Sequence, residues 1–195
     1  MGPLGSDTMP PRRQPASAVF LDRDGTIMRD VHYCRDVRNV EILPGVAQGI
    51  KLLNDSGFRV VVATNQSGIG RGLLDEEVLR RIHQRMLLRL LWEGAIVDAI
   101  YHCPHGPDDS CECRKPRAGL LRRAAQDLDL DLERSFMVGD SLRDIEAGRE
   151  AGCRTAIVCS DPYAWEDQGA RPDFIGHSLL DVAVWIIGAR VAGSA

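Results

Sequence analysis

Residues 16–26 read ASAVFLDRDGT: four apolar side chains (Ala18, Val19, Phe20, Leu21) empty into two carboxylates, Asp22 and Asp24, and a glycine. An apolar run bounded in this way predicts a strand buried on both faces, as in parallel sheets. Side chains alternate along an extended chain, so Asp22 and Asp24 emerge on one side and Arg23 on the other, where a structural role is expected for it. Gly25 permits a sharp turn just beyond. Two like charges so placed need a cation. A hard divalent ion takes oxygen ligands and keeps positions open for phosphate, so the pattern points to phosphoryl chemistry.

Further strands and helices alternate along the chain. Pro44 opens a helix with Val46, Ile50 and Leu53 at helical spacing and Gly57 as its stop. Residues 58–64 (FRVVVAT) predict a second buried strand, and the NQSGIGRG that follows carries three glycines that would let backbone N–H groups approach phosphate. Asp75 caps a helix running to about Glu93 with its apolar stripe on Val78, Leu79, Ile82, Met86 and Leu90. His83 on that helix is expected at the surface. Residues 96–102 predict a third strand, residues 117 to about 128 a helix, and Phe136–Val138 a fourth strand ending in Gly139 and Asp140. Asp140 and Asp144, four apart, share one helix face. Residues 153–159 form a fifth strand, residues 173–176 a short last one, and Leu179–Val191 a closing helix with Trp185 in the core. Residues 27–43 lack periodicity and predict a loop in which Asp30, Val31, His32 and Tyr33 reach a substrate. The pattern is that of an α/β doubly wound parallel sheet, whose strands end along one edge and bring distant residues together there.

Between the third strand and the next helix lies CPHGPDDSCECRKP, residues 103–116. Cys103, His105, Cys111 and Cys113 supply four soft or borderline ligands across a turn, the composition of a closed structural zinc site. Such binding is worth about 10 kcal/mol or more in zinc peptides, enough to pin the loop and aim the adjoining Arg114 and Lys115 at phosphate. Of the 24 basic residues only Lys51 and Lys115 are lysine. A compact ammonium, not a planar fork, is what position 115 offers.

The chain has 195 residues, a net charge of −4 and six cysteines. That length suits one domain burying about 70% of its unfolded surface. MGPLGSDT looks like a cloning scar, and residues 1–15 are set aside as a disordered lead-in, leaving residues 16–195 as the domain. The acidic balance and the absence of a basic run argue against nucleic acid, and no apolar run is long enough to span a membrane. Cysteines in metal spacing, with Cys34, Cys153 and Cys159 scattered as packing residues, fit a reduced, cytoplasmic setting.

Taken in order, DRDGT, TNQS, RKP and GDSLRD resemble the motifs of the haloacid dehalogenase-like phosphatases. With the CPH and CEC loop, the chain is similar to the subgroup containing the D-glycero-D-manno-heptose 1,7-bisphosphate phosphatases and the histidinol-phosphate phosphatases. The resemblance covers residues 17–180. It implies that Asp22 is the nucleophile, forming an aspartyl-phosphate, and that Asp24 is the general acid and base. It implies Mg²⁺ held by the Asp22 carboxylate, the Asp24 carbonyl and Asp140, with Asp144 behind them holding a metal-bound water or Lys115. Thr64 and Lys115 would bind the transferring phosphoryl group. Arg114, the stretch Thr64, Asn65, Gln66 and Ser67, and the loop Asp30, Val31, His32, Tyr33 would recognise a small phosphosugar. Ser141 stands where some heptose enzymes have a lysine that contacts substrate. The short interval between Thr26 and Pro44, and the ordered elements filling the next one, imply a capless enzyme with an open cleft; no repeated apolar seam demands a dimer, so a monomer is expected. Within the subgroup the heptose bisphosphate is the expected substrate and histidinol phosphate the alternative. A catalytically dead phosphosugar-binding module is the reading from a different class, and it is opposed by the presence of Asp22, Asp24, Lys115 and Asp140.

Overall fold

A computed structural model describes residues 14–160, Trp165 and residues 171–192. Of the lead-in expected over residues 1–15, only Gln14 and Pro15 fall within that range. The described residues form six strands, β1 (Ala16–Leu21), β2 (Arg59–Asn65), β3 (Ala99–Cys103), β4 (Leu130–Gly139), β5 (Arg154–Val158) and β6 (Phe174–Gly176), and five helices, α1 (Val46–Asp55), α2 (Glu76–Trp92), α3 (Gly119–Leu128), α4 (Leu142–Ala151) and α5 (Leu179–Ala192), strand and helix alternating from β1 to β5. The strands form one parallel sheet in the order β3-β2-β1-β4-β5-β6. The chain therefore leaves β1 in one direction for β2 and β3, then returns to its other side for β4. This reversal at β1 opens a crevice beyond the carboxyl ends of β1, β2 and β4.

Strand β1 is buried on both sides. Val19 and Leu21 enter the larger core, closed by α1, α2 and α5, while Ala18 and Phe20 enter a second one under α3. Phe136, Phe174 and Trp185 pack in the larger core or against it, with the Phe174 and Trp185 rings stacked 5.0 Å apart. Helix α2 starts at Asp75, whose carboxylate accepts from the Val78 N–H at 2.8 Å. Among the described residues no helix is long and apolar enough to cross a membrane.

Two local features depart from the pattern read in the sequence. Strand β4 begins at Leu130, well before Phe136, and pairs with β1 in two pieces separated by a shift in register. Ser135 bridges the irregularity: its hydroxyl accepts from the Ala18 N–H at 2.9 Å and donates to the Asp131 carbonyl. Inside the expected loop over 27–43, Val37–Asn39 form a 3-10 turn capped by Asp36.

Helix α4 lies close on the sheet because Gly148 has no side chain. A Cβ there would sit 2.7 Å from Met137 Cβ and 2.8 Å from Thr155 Cγ2. Overpacking at such a site costs about 1–3 kcal/mol. Gly148→Ala is expected to lower Tm by several degrees in a thermal melt, despite the better helix propensity of alanine.

Candidate active site

Beyond the carboxyl ends of β1, β2 and β4 lies a cleft of about 390 Å³. Its lining includes Asp22, Asp24, Asp30, His32, Tyr33, Thr64, Asn65, Gln66, Ser67, Arg114, Lys115, Asp140, Ser141 and Asp144. Val31 is the one expected contact missing from this lining; it packs against the larger core. Arg71, Pro107 and Arg143 also line the cleft, and so does Arg23, although alternation predicts it turned away. Arg71 was legible in the glycine-rich GIGRG loop and Arg143 in GDSLRD, since each motif sits at a strand end.

Two glycines bring the carboxylates together. A Cβ on Gly25, whose φ is +81°, would lie 1.9 Å from Asp140 Oδ2, and one on Gly139 would lie 2.3 Å from the Asp144 carboxylate. As a result Asp22, Asp140 and Asp144 each place an oxygen within 4.8 Å of the others. Lys115, 2% exposed, places Nζ 2.8 Å from Asp22 and 2.6 Å from Asp144. Burial pulls the Lys115 ammonium down, but Asp144 and Asp22 outweigh it and its pKa lies above the ordinary lysine value. Burial raises Asp22 to about 6, against the pull of Lys115. Burial, with Asp22 and Asp144 adding repulsion, raises Asp140 to about 7.

One ammonium among three carboxylates leaves two negative charges uncompensated. An all-oxygen set with that deficit fits a hard divalent cation. Asp144 is already committed to Lys115 and to the start of α4, where its carboxylate accepts from the Ser141 N–H at 3.1 Å and the Ser141 hydroxyl at 2.6 Å. Asp22 and Asp140 are therefore the side chains placed to ligate an ion.

Several expected contacts prove to hold the site together. The Asn65 amide is engaged with the Lys115 backbone in both directions, at 3.0 Å each. Gln66 Nε2 donates to Asp24 Oδ2 and Thr64 Oγ1, both at 2.9 Å. Arg23 is 1% exposed, and its guanidinium folds back onto the Asp24 carboxylate. His83 is buried behind it, not at the surface, with Nε2 3.0 Å from Arg23 Nη1. Burial, Arg23 and His102 lower the His83 pKa to about 3, so its ring is neutral and accepts from Arg23.

The glycine loop after β2 also differs from expectation. The N–H groups from Ile69 to Leu74 bond within the loop, except Gly70, which donates to the Pro104 carbonyl at 2.9 Å. A Cβ on Gly70 would meet that carbonyl at 2.9 Å, so this glycine serves close packing against the cysteine loop and not phosphate access. In the cysteine loop, Cys103, His105, Cys111 and Cys113 place their ligand atoms within 4.8 Å of one another. Cys103 Sγ lies 3.8 Å from Cys111 Sγ and 3.2 Å from Cys113 Sγ. A tetrahedron with 2.3 Å metal–sulfur bonds has edges of about 3.8 Å, so the cluster is close to a four-coordinate cage. Arg114 ties this loop to the cleft through the His105 carbonyl, 3.2 Å from its Nη1.

A doubly wound sheet with a carboxylate and lysine cluster at its switch point defines an α/β enzyme of phosphoryl transfer. A family model described as "HAD-hyrolase-like" matches residues 112–182. The D-glycero-beta-D-manno-heptose-1,7-bisphosphate 7-phosphatase of Haemophilus ducreyi is 37% identical over 177 residues, covering 87% of this chain and 97% of that protein. The enzyme of the same name from Bordetella bronchiseptica is 45% identical over 141 residues, covering 72% and 79%. The crystal structure of D,D-heptose 1,7-bisphosphate phosphatase from B. bronchiseptica, complexed with magnesium and phosphate, aligns with a TM-score of 0.81 at 39% identity, covering 89% of this chain and 99% of that one. The chain belongs to the heptose-1,7-bisphosphate 7-phosphatase family of haloacid dehalogenase-like phosphatases.

Removing the buried cation leaves Asp22 and Asp144 facing each other uncompensated, a change that typically costs about 3–5 kcal/mol. Lys115→Met is expected to lower the urea midpoint of the metal-free protein accordingly and to abolish measurable phosphate release.

Proposed function

We propose that this protein removes the C7 phosphate of D-glycero-D-manno-heptose 1,7-bisphosphate through an aspartyl-phosphate on Asp22. The observation that carries the reading is the Asp22–Lys115–Asp144 ion-pair chain beside Asp140, in a chain that aligns over most of its length with phosphatases of that name. Asp22 Oδ attacks phosphorus while the bond to the sugar oxygen breaks, and Asp24 gives that oxygen its proton. Asp24 then takes a proton from water as the water attacks the acyl phosphate, releasing inorganic phosphate and freeing Asp22. Thr64 and Lys115 hold the transferring oxygens. The Asp22 and Asp140 carboxylates and the Asp24 carbonyl would hold Mg²⁺, which would supply charge neutralisation for the phosphoryl group when bound. Arg114 and the loop bearing Asp30, His32 and Tyr33 contact the sugar, in a cleft read as capless and open.

Zinc is the metal we assign to Cys103, His105, Cys111 and Cys113, with a structural role because all four positions are protein ligands. The product, a heptose 1-phosphate, suits a cytoplasmic step toward nucleotide-activated heptose for surface glycans, carried out by a monomer.

Phosphate release with Mg²⁺ tests the substrate. A heptose 1,7-bisphosphate anomer is expected to exceed histidinol phosphate in kcat/KM by about a hundredfold, or roughly 2.7 kcal/mol. Asp22→Asn is expected to eliminate both activities while the protein still folds. A preference for histidinol phosphate would reverse the substrate assignment.

Cys113→Ser tests the loop. Zinc content measured by mass spectrometry is expected to fall, and kcat/KM to drop at least tenfold as Lys115 loses its anchor; full occupancy with normal kinetics would remove the anchoring role.

A further inference from the structure

The two oxygens of Asp24 are unequally occupied. Oδ2 accepts from Arg23 Nε at 3.1 Å, from Arg23 Nη2 at 2.8 Å and from Gln66 Nε2 at 2.9 Å. Oδ1 accepts one bond, from Arg23 Nη2 at 3.0 Å. The same Nη2 reaches Gln66 Oε1 at 3.0 Å, and Nη1 is held by His83 at 3.0 Å. Arg23 is thus gripped from the far side by a neutral histidine on α2, and its planar fork fixes the carboxylate plane.

We infer that Arg23, braced by His83, is a positioning residue that locks the Asp24 carboxylate so that Oδ1, the less engaged oxygen, gives and takes the catalytic proton. Without the fork the carboxylate rotates about its Cβ–Cγ bond, and proton donation to the leaving oxygen becomes poorly aligned. This rests on the reading of Asp24 as the general acid. General acid catalysis is worth about 10²–10⁴-fold, and misalignment forfeits part of that.

The loss has a signature that general damage lacks. A sugar alkoxide leaves only with a proton, whereas p-nitrophenolate leaves without one, and kcat/KM reports the steps through leaving-group departure. The experiment compares kcat/KM for heptose 1,7-bisphosphate and p-nitrophenyl phosphate, with Mg²⁺, in Arg23→Lys, His83→Phe and His83→Gln. Arg23→Lys keeps the charge without the fork, His83→Phe removes the acceptor, and His83→Gln can restore it. The first two are expected to lose about ten- to a hundredfold on the sugar phosphate but no more than about threefold on the aryl phosphate, with His83→Gln close to wild type. Parallel losses on both substrates, or none on the sugar phosphate, would overturn the inference. Because Arg23→Lys removes a buried fork and can fail to fold, the His83 pair decides the matter independently. Asp24→Asn is the control: a selective loss there with none in the His83 and Arg23 variants defeats only the positioning role, whereas an unselective loss at Asp24 defeats the general-acid reading itself.

Discussion

A lysine ammonium buried between two aspartates, 2.8 Å from Asp22 and 2.6 Å from Asp144, is the contact on which the rest of this site depends. Buried charges are stable only when fully compensated, and here the compensation is spread over elements far apart in the chain. Strand β1 supplies Asp22, the turn after β4 leads into Asp144, and β2 supplies Asn65, whose amide fastens the Lys115 backbone at both its N–H and its carbonyl. Cys113, two residues before Lys115, belongs to the four-residue ligand cluster that closes the same loop. The only other lysine, Lys51, pairs with Asp55 on an exposed helix face, where either basic side chain would serve. At position 115 a compact ammonium meets both carboxylates from one point, which a planar guanidinium fork does not offer.

What was legible in the sequence follows from locality. Apolar runs announce strands, and the doubly wound order then dictates that Asp22, Thr64 and Asp140 share an edge, so the fold and the carboxylate cluster emerge from the residues alone. Features whose cause lies across the sheet do not. The start of β4 depends on Ser135 answering an N–H in β1, and its own residues, LDLERS, carry no apolar run. His83 lies four residues after Leu79 and three before Met86, so spacing alone permits its burial, but the partner that a buried imidazole needs, the guanidinium arriving from Arg23, lies across the sheet. Alternation predicts Arg23 turned away from the cleft, yet an arginine side chain is long enough to reach back to its neighbour Asp24 and line the cleft. The glycines after β2 announce a tight loop, but whether a glycine serves a phosphate or a packed carbonyl depends on what faces it, here Pro104.

The cleft combines an anionic floor with a cationic rim, and the two act over different ranges. Arg71 and Arg143 are exposed, so salt and water weaken their pull on a phosphate within about 8 Å at physiological ionic strength. The floor lies in a much lower dielectric, where its net negative charge would repel a phosphate dianion strongly. A phosphate can therefore reach Asp22 only if that charge is neutralised first, and Lys115 alone leaves two charges over. Burial raises Asp22 and Asp140 toward neutrality and the neighbouring carboxylates add to it, so on the proposed reading a divalent cation would serve binding as well as reaction. On the proposed reading, affinity for the reacting phosphate would be set by the floor. Discrimination among sugars would then fall to the rim, whose loop holds His32 and Tyr33 at positive φ through the Asp30 turn and lays Tyr33 6.0 Å beneath Arg71. On that reading, changes in the rim would alter the choice of phosphosugar while leaving the buried charges of the floor in place.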